Sequence, residues 1–432
     1  MQPRSLSNFE DLNTFYLEQV KKSLSYAQNR SPFYRKFFKD QNIDIAKITS
    51  LKDFEKIPCT EKNHLSENEN QFLCVAEKEI ADWCTTSGTS GKPVSFGLSK
   101  EDIKRLAKNE ALSLLRMDCT EASTVQLMVT IDKRFMAGLA YYLGIKEIGA
   151  SCIRVGSGSP GLQLDSIQRF KPEIIIAVPS FLLRVIQYAD QHNIDYRNSS
   201  VKKILCIGEP IRDEKLEENN LGSRIIKAWP EVKLYSTYAS TEMSTAITEC
   251  THGKGGHIPA ELVYIEILDT DDQPQKAGLP GEVCFTTFGI EAMPLIRYKT
   301  GDIAIIYKDQ CACGALTPRL SPILGRKKNM LKFKGTTIFP ESIFDVLNAM
   351  TDIESYQIEL STNELELDHV TIYLVPRDGS NNIENIKEAL SAALRVSPEI
   401  QFISTTEMQK RSFPDGSRKP IKLVDQRKSL PL

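Results

Sequence analysis

The stretch Thr85-Thr86-Ser87-Gly88-Thr89-Ser90-Gly91-Lys92-Pro93 is the most informative part of the sequence. Its hydroxyl side chains, glycines and lysine suit a loop whose backbone N–H groups and hydroxyls surround a polyphosphate. A Walker A loop is excluded, because that motif requires Ser or Thr after its Gly-Lys pair and Pro93 stands there instead. A phosphate-binding loop is therefore predicted, with an ordinary Ser/Thr/Gly surface turn as the alternative.

Length and composition predict a globular protein. The chain has 432 residues, of which 41% are hydrophobic and 25% charged, values that fit roughly two to four ordinary domains. The formal net charge of -2 disfavours general polyanion binding, so nucleic acid is not an expected partner. The sequence shows neither a long apolar span nor the apolar segment of a secretory signal. We expect a cytoplasmic protein with no membrane association and mostly reduced cysteines.

The order of apolar segments predicts an α/β protein. An amphipathic helix is expected over residues 11–30, and short branched runs at 125–131, 174–178 and 203–207 alternate with helical stretches. This alternation indicates βα units around a mostly parallel sheet. From Leu262 onward the segments LVYIEIL, VCFTTF and DIAIIY predict antiparallel strands, which would form a small barrel or a second sheet.

A third pattern begins near Gly325, where the segment GRKKNMLKFKG is dense in cations. The residues that follow predict helix, strand, strand, helix and strand, over 341–349, 355–360, 370–376, 382–395 and 400–404. This order describes a compact α+β unit. We therefore predict a large N-terminal domain of sheets flanked by helices over residues 1–327, and a small α+β domain over 328–432.

Several motifs in a fixed order resemble those of the adenylate-forming superfamily, and TTSGTSGKP is similar to its phosphate loop. The others are Gly208-Glu209-Pro210, on the adenine side, Tyr238-Ala239-Ser240-Thr241-Glu242, Arg297-Tyr298-Lys299-Thr300-Gly301-Asp302, and the hinge motif Gly325-Arg326-Lys327-Lys328-Asn329-Met330. Ala239 departs from the pattern, which has glycine there. Glu249-Cys250 with His257 downstream, CACG at 311–314 and the ending RKPIKLVDQR are similar to the phenylacetate-CoA ligase branch.

The resemblance implies a site for ATP and Mg²⁺. The nucleotide-binding residues that it implies are Thr86, Ser87, Gly88, Thr89, Ser90, Gly91, Lys92, Gly208, Glu209, Pro210, Tyr238, Ala239, Ser240, Thr241, Asp302 and Arg326. Asp302 is expected to accept hydrogen bonds from both ribose hydroxyls, and the planar fork of Arg326 suits ribose or phosphate oxygens. Glu242 is the candidate Mg²⁺ ligand, because Mg²⁺ typically takes one or two carboxylates and completes its shell with phosphate and water oxygens.

The last basic segment, residues 408–428, contains the candidate catalytic lysine. Lys419 matches the superfamily lysine that reaches the carboxylate and the α-phosphate during adenylation, with Lys422 and Lys410 as alternatives. A compact cation there would stabilise the transition state without proton transfer. The resemblance also implies that the C-terminal domain is mobile, with Lys328 as the hinge residue.

Four residues further predict a structural zinc site. Cys250, His257, Cys311 and Cys313 offer three thiolates and one imidazole, the donor set of a closed tetrahedral Cys₃His centre. Similar cysteines in the resembled branch support this interpretation. His252 is an alternative to His257, and reduced cysteines without a metal are the alternative to the site as a whole.

The resemblance implies an acid-thiol ligase that uses ATP and coenzyme A. A carboxylic acid would form acyl-AMP and pyrophosphate, and CoA would then displace AMP to give a thioester. Two alternatives stay open, transfer to the pantetheine of a carrier protein and nucleotide binding without catalysis. The acyl pocket is expected at Phe135, Met136, Gly138, Tyr141 and Tyr142, where the alternative is core packing. A homodimer is common among similar enzymes.

Overall fold

The protein is described here from a computed structural model, which covers residues 9–86, 94–327, 331–333, 336–338, 340–350, 352–362, 368–377, 383–394, 398–413 and 421–427. The chain divides into two compact units, Met1–Ile323 and Leu324–Leu432. The predicted domain boundary, between residues 327 and 328, lies just beyond this division. Residues 87–93, the hinge residue Lys328 and Lys419 lie outside the described residues.

The first unit begins with five helices, alternates between helices and strands over residues 100–240, and ends with consecutive strands. The helices are α1 (Phe9–Arg30), α2 (Pro32–Asp40), α3 (Leu51–Phe54), α4 (Lys62–Glu67), α5 (Glu69–Phe72), α6 (Lys100–Leu115), α7 (Met136–Ile148), α8 (Pro160–Phe170), α9 (Pro179–Gln191) and α10 (Asn220–Ala228). The strands are β1 (Ile80–Thr85), β2 (Ser95–Ser99), β3 (Thr124–Leu127), β4 (Ser151–Arg154), β5 (Ile174–Ala177), β6 (Lys203–Cys206), β7 (Lys233–Ser240), β8 (Thr245–Glu249), β9 (Gly256–His257), β10 (Val263–Leu268), β11 (Pro280–Thr287), β12 (Tyr298–Tyr307) and β13 (Arg319–Leu320). None of the helices described is both long enough and apolar enough to span a membrane.

The main sheet has a parallel and an antiparallel half. Strands β4, β3, β5, β6 and β7 are parallel neighbours in that order. From β7 the hydrogen-bonded path continues through β8, β9, β13, β12, β11 and β10, and each of these pairs is antiparallel. The predicted α/β fold is confirmed. The antiparallel strands, expected as a barrel or second sheet, join the parallel ones through β7 and β8.

Two apolar clusters cover opposite faces of the parallel strands. Side chains of a strand alternate between its two faces. Accordingly, Ile174 and Ile176 of β5 belong to the cluster that includes Tyr141 of α7. Ile175 and Ala177 belong to the cluster that α8 and α9 cover. Helices on both faces explain why all four residues of this strand are buried.

The second unit is a four-stranded sheet with helices. Its elements are β14 (Gly325–Arg326), β15 (Leu331–Phe333), β16 (Thr336–Ile338), α11 (Pro340–Ala349), β17 (Ile353–Thr362), β18 (Asp368–Pro376), α12 (Ile383–Leu394), β19 (Glu399–Phe402), α13 (Thr405–Ser412) and β20 (Leu423–Asp425). The strands of this sheet lie in the order β19, β18, β17, β20. The predicted order helix, strand, strand, helix, strand is found. Five elements were not predicted, namely β14, β15, β16, α13 and β20; β20 lies within the basic segment and α13 overlaps its start.

A buried carboxyl group stands between two helices of the first unit. Glu110 of α6 is 3% exposed, and its Cβ would lie 2.4 Å from a Cβ placed on Gly144 of α7. Glu110 Oε1 accepts a 3.1 Å hydrogen bond from Asn109 Nδ2, whereas Oε2 has no hydrogen-bond partner among the described residues. Burial raises the pKa of Glu110 from 4.5 to about 8.

The raised pKa of Glu110 predicts a pH-dependent stability. Between about pH 4.5 and pH 8 the native state holds a proton that the unfolded state has lost, so the free energy of unfolding falls as the pH rises. Above pH 8 the carboxyl is ionised in both states and this loss of stability levels off.

Glu110→Gln should therefore be more stable than the wild type at pH 8.5 and similar to it at pH 5. Urea unfolding at both pH values measures the difference. Glu101→Gln, on the exposed face of the same helix, is the control, and parallel stability curves for Glu110→Gln and wild type would contradict the prediction.

Candidate active site

Two of the predicted nucleotide segments follow neighbouring parallel strands. Strand β6 ends at Cys206, opposite Ser236 of β7. Gly208–Pro210 follows β6, and Tyr238 lies two residues beyond Ser236. Ligands of parallel α/β sheets bind at the carboxyl ends of the strands. This edge is therefore the candidate site.

A hydrogen bond links two predicted nucleotide residues at this edge. Tyr238 Oη donates to Asp302 Oδ2 over 2.8 Å, although the residues are 64 positions apart. Asp302 lies on β12 and is buried. Its backbone N–H donates to Thr300 Oγ1 at 3.0 Å. Burial, and after it the charge of Asp302, raises the pKa of Tyr238 well above its ordinary value, so the phenol remains a donor at neutral pH.

The predicted adenine-side segment, Gly208–Pro210, is held by its backbone conformation and by hydrogen bonds to the start of α9. Gly208 has φ of 75°, and no atom lies within 4 Å of a Cβ placed there, so the backbone conformation rather than crowding favours glycine. Glu209 accepts 2.8 Å hydrogen bonds from both the backbone N–H and the hydroxyl of Ser180, in the first turn of α9. An anionic side chain at a helix N-terminus is stabilising. The sequence reasoning missed Ser180, although Pro179-Ser180 after a buried strand is a recognisable helix start.

A tight turn at residues 241–244 connects β7 to β8 and carries Glu242. The N–H of Met243 donates to Ser240 Oγ at 3.1 Å, and that of Ser244 donates to the Ser240 carbonyl at 3.0 Å. Ser244 Oγ bonds the Thr241 carbonyl at 3.0 Å. Glu242 is half-buried. These bonds set the direction in which the turn presents its carboxylate.

The predicted phosphate-binding stretch is closed at its base. Thr86 donates its N–H to the Val94 carbonyl, and the Val94 N–H donates to Thr86 Oγ1, both over 2.9 Å. Strands β1 and β2 pair beyond this point, with Thr85 opposite Ser95. Thr86 is therefore a structural anchor in addition to its predicted ligand role. Ser87 to Lys92 lie outside the described residues.

Arg297, the first residue of the Arg-Tyr-x-Thr-Gly-Asp motif, is buried and bonds to other groups of the protein. Its guanidinium is 2% exposed and bonds both oxygens of the buried Glu266, over 2.9 and 3.1 Å. It also donates to the carbonyls of Glu55 and Ile57. The Arg297 side chain thus joins the start of β12 to β10 and to the segment 55–57. Arg326 lies in the second unit, on β14, and is half-buried.

The predicted acyl segment forms the start of α7. Met136 and Tyr141 are buried, and a Cβ on Gly138 would lie 1.8 Å from the Thr130 carbonyl oxygen. These three residues are thus packed in the interior, which favours the core alternative for them. Phe135 is exposed and Tyr142 half-buried. The acyl-binding role of the segment remains a prediction.

The four predicted zinc ligands lie together. Cys250 follows β8, His257 lies on β9, and Cys311 and Cys313 lie between β12 and β13. Their ligand atoms are all within 4.8 Å of one another. Cys250 Sγ lies 3.8 Å from Cys311 Sγ, and Cys313 Sγ lies 3.5 Å from His257 Nε2. A tetrahedral zinc centre with bonds of about 2.3 Å to sulfur and about 2.05 Å to nitrogen has edges of about 3.8 Å between two sulfurs and about 3.6 Å between sulfur and nitrogen.

The imidazole of the cluster is His257 rather than His252. His257 is buried, and burial lowers its pKa to about 3, which leaves the ring neutral and able to ligate at pH 7. Its Nδ1 lies 3.4 Å from Thr317 Oγ1, so Nε2 points to the thiols. His252 is exposed and brings its backbone N–H to 3.4 Å from Cys250 Sγ.

Two residues of the predicted nucleotide site, Tyr238 and Asp302, thus meet at this sheet edge. A match to a family model assigns the chain to a family of enzymes. The chain belongs to the family of AMP-binding enzymes, whose model matches residues 22–291. The predicted resemblance to the adenylate-forming superfamily is thereby confirmed.

Individual relatives point to the same branch. The chain is 29% identical to the phenylacetate-coenzyme A ligase of Thermus thermophilus, over 81% of this chain and 78% of the relative. It is 28% identical to the corresponding ligase of Pseudomonas putida, over 87% and 84% of the two chains. Among solved structures, a 2-hydroxyisobutyryl-CoA ligase bound to an acyl adenylate shares the fold, with a TM-score of 0.81 at 22% identity, covering 98% of this chain and 94% of that one.

Proposed function

We propose that the protein is an AMP-forming acid-thiol ligase, which converts a carboxylic acid to acyl-AMP and then to a CoA thioester. The observation that carries the proposal is the Tyr238–Asp302 pair next to Gly208–Pro210. The names of the curated relatives, phenylacetate-coenzyme A ligases, support CoA as the acceptor. The same names favour an acid with an aromatic acyl group over a small one such as acetate.

Each half-reaction assigns a task to residues of this chain. In the first, a carboxylate oxygen attacks the α-phosphorus of ATP and pyrophosphate leaves, so anions must be brought in line and their charge offset. Asp302 would accept hydrogen bonds from the ribose hydroxyls, and Lys419 would offset the charge of the reacting anions. In the second, the CoA thiol loses its proton, its sulfur attacks the acyl carbon, and AMP leaves.

Magnesium would be held by Glu242. The carboxylate stands on a turn whose neighbours hydrogen-bond one another, and Mg²⁺ bound through one carboxylate takes its other oxygens from phosphate and water. When bound, the ion neutralises charge on the phosphates. The predicted phosphate-binding stretch and the residues of the sheet edge would make the remaining contacts to ATP.

Glu242→Gln should lower turnover at limiting magnesium while leaving the fold intact, since the substitution keeps shape and removes charge. We expect the apparent KM for Mg²⁺ to rise about tenfold or more and saturating Mg²⁺ to restore part of the rate. Titration of pyrophosphate release with MgCl₂ measures both. Glu217→Gln, an exposed glutamate in the loop before α10, is the control. Normal turnover of Glu242→Gln at limiting magnesium would assign the metal to another residue.

Product analysis tests the function as a whole. The protein is mixed with ATP, Mg²⁺ and a panel of carboxylic acids, with CoA, with a pantetheinylated carrier protein, or with neither. Mass spectrometry then identifies the product. An acyl-CoA is the expected result. Acyl-AMP that transfers only to the carrier protein would establish the carrier alternative, and no acyl-AMP with any acid would establish nucleotide binding without catalysis.

Zinc is proposed as a structural metal of the first unit. The two interatomic distances of the Cys250, His257, Cys311 and Cys313 cluster match the edges of a tetrahedral centre. Four protein ligands leave no position for substrate, so the ion would stabilise the fold. The cluster would join the ends of β8 and β9 to the segment between β12 and β13.

A further inference from the structure

A buried ion pair lies directly behind the adenine-side segment. Arg212 follows Pro210 by two residues, and its guanidinium is 9% exposed. Its Nε lies 2.8 and 3.0 Å from the two carboxylate oxygens of Glu249, which is 1% exposed. Nη1 lies 3.0 Å from Glu218 Oε1, a more exposed partner. The guanidinium is thus satisfied within the protein rather than directed at a ligand.

Glu249 connects three other parts of the first unit. It ends β8 immediately before Cys250. Its Oε2 accepts a 3.0 Å hydrogen bond from the N–H of Ser236, two residues before Tyr238 on β7. It also accepts a hydrogen bond from the backbone of Gly255. The carboxylate therefore ties the strand of Tyr238 and the loop beyond Cys250 to Arg212.

The backbone around Arg212 leaves little room for another arrangement. A Cβ on Gly253, whose φ is 60°, would lie 2.7 Å from Arg212 Nη2. Asn219 Nδ2 donates to the Pro210 carbonyl at 2.9 Å, and the N–H of Asn219 donates to the Ile211 carbonyl at 3.0 Å. The crowded Arg212 side chain and the hydrogen bonds to the Pro210 and Ile211 carbonyls thus fix the backbone of residues 208–212.

A buried ion pair is a poor stabiliser, because desolvation of the two charges offsets their attraction. The presence of this pair is therefore better explained by the backbone geometry that it holds in place. We propose that Arg212 and Glu249 are positioning residues for the nucleotide, which hold Gly208–Pro210 in register with Tyr238 so that both can contact one adenosine. The proposal rests on the proposed function only in taking the sheet edge as the nucleotide site.

The test separates positioning from stability. The proteins compared are wild type, Arg212→Met, Glu249→Gln and the double variant, with the exposed Arg169→Met of α8 as control. Single changes leave one buried charge unpaired and should lower the melting temperature, whereas the double variant removes both charges and should recover it. AMP affinity is measured by calorimetry, and the KM values of ATP and acid by turnover.

We expect the double variant to melt like the wild type yet bind AMP about tenfold more weakly, with the KM of ATP raised and that of the acid unchanged. Arg212→Lys, which retains the charge, should fall between the two. Recovery of AMP affinity together with the melting temperature would overturn the proposal, as would a double variant that does not fold while Arg212→Lys binds AMP normally. Because AMP binding needs no turnover, a failed ligase assay leaves this test intact.

Discussion

Lys419→Ala is expected to slow acyl-AMP formation on the order of 10²–10³-fold, while thioester formation from supplied acyl-AMP is largely retained. The lysine would be needed only while negative charge builds up between the carboxylate and the α-phosphate. In the second half-reaction this charge has left with pyrophosphate, so a positive side chain at that position has less to stabilise. Rapid-quench measurement of each half-reaction, with ATP or with synthetic acyl-AMP, gives the two rates separately.

The alternative lysines offer matched controls. Lys422 Nζ lies 4.7 Å from the centroid of the Tyr356 ring and 3.5 Å from its hydroxyl, so this cation is engaged within the second unit. Lys410 is an exposed residue of α13. Lys410→Ala should therefore leave both half-reactions unchanged, and Lys422→Ala should lower the stability of the second unit more than either rate. A loss of both half-reactions in Lys419→Ala would instead identify that residue as structural.

Local sequence patterns predicted the elements of the fold well. The branched runs at 174–178 and 203–207 became β5 and β6, because a fully apolar run bounded by turn residues fits a strand covered on both faces. The basic composition of residues 408–428 concealed β20 and most of α13. Strand β20 has only three residues and is held by parallel pairing with Ile358 to Leu360 of β17, a tertiary contact that no local pattern reports.

The sequence predicts residues of a candidate site but not the contacts between them. Motif resemblance identified Tyr238 and Asp302 separately, whereas their hydrogen bond depends on the register of β7 and β12 in a sheet assembled from distant strands. Arg297 has the residue type of a phosphate ligand, yet its burial against Glu266 gives it a structural task. Burial of this kind follows from the packed fold, so sequence patterns alone do not distinguish the two roles.

Replacing Cys311 and Cys313 together by serine is expected to remove about one zinc ion per chain and to destabilise the first unit by about 3–5 kcal/mol. The two residues supply half of the four-ligand set, and the loss would disconnect their segment from Cys250 and His257. For a unit of 323 residues, whose entropy of unfolding is about 0.7 kcal/mol/K, the melting temperature should fall by roughly 4–7 °C. Inductively coupled plasma mass spectrometry and a thermal melt measure the two effects.

Cys152→Ser is the matched control, because Cys152 is a half-buried cysteine outside the cluster and should change neither the zinc content nor, by much, the melting temperature. The distances in the cluster distinguish zinc ligands from a disulfide. Sulfur atoms 3.8 Å apart are too distant for a disulfide, whose S–S bond is about 2.05 Å, yet they match two ligands of one zinc ion. Wild-type protein prepared without chelators and found free of zinc would instead show that the three thiols and the imidazole stay together without a metal. In that case the double serine variant should melt close to the wild type.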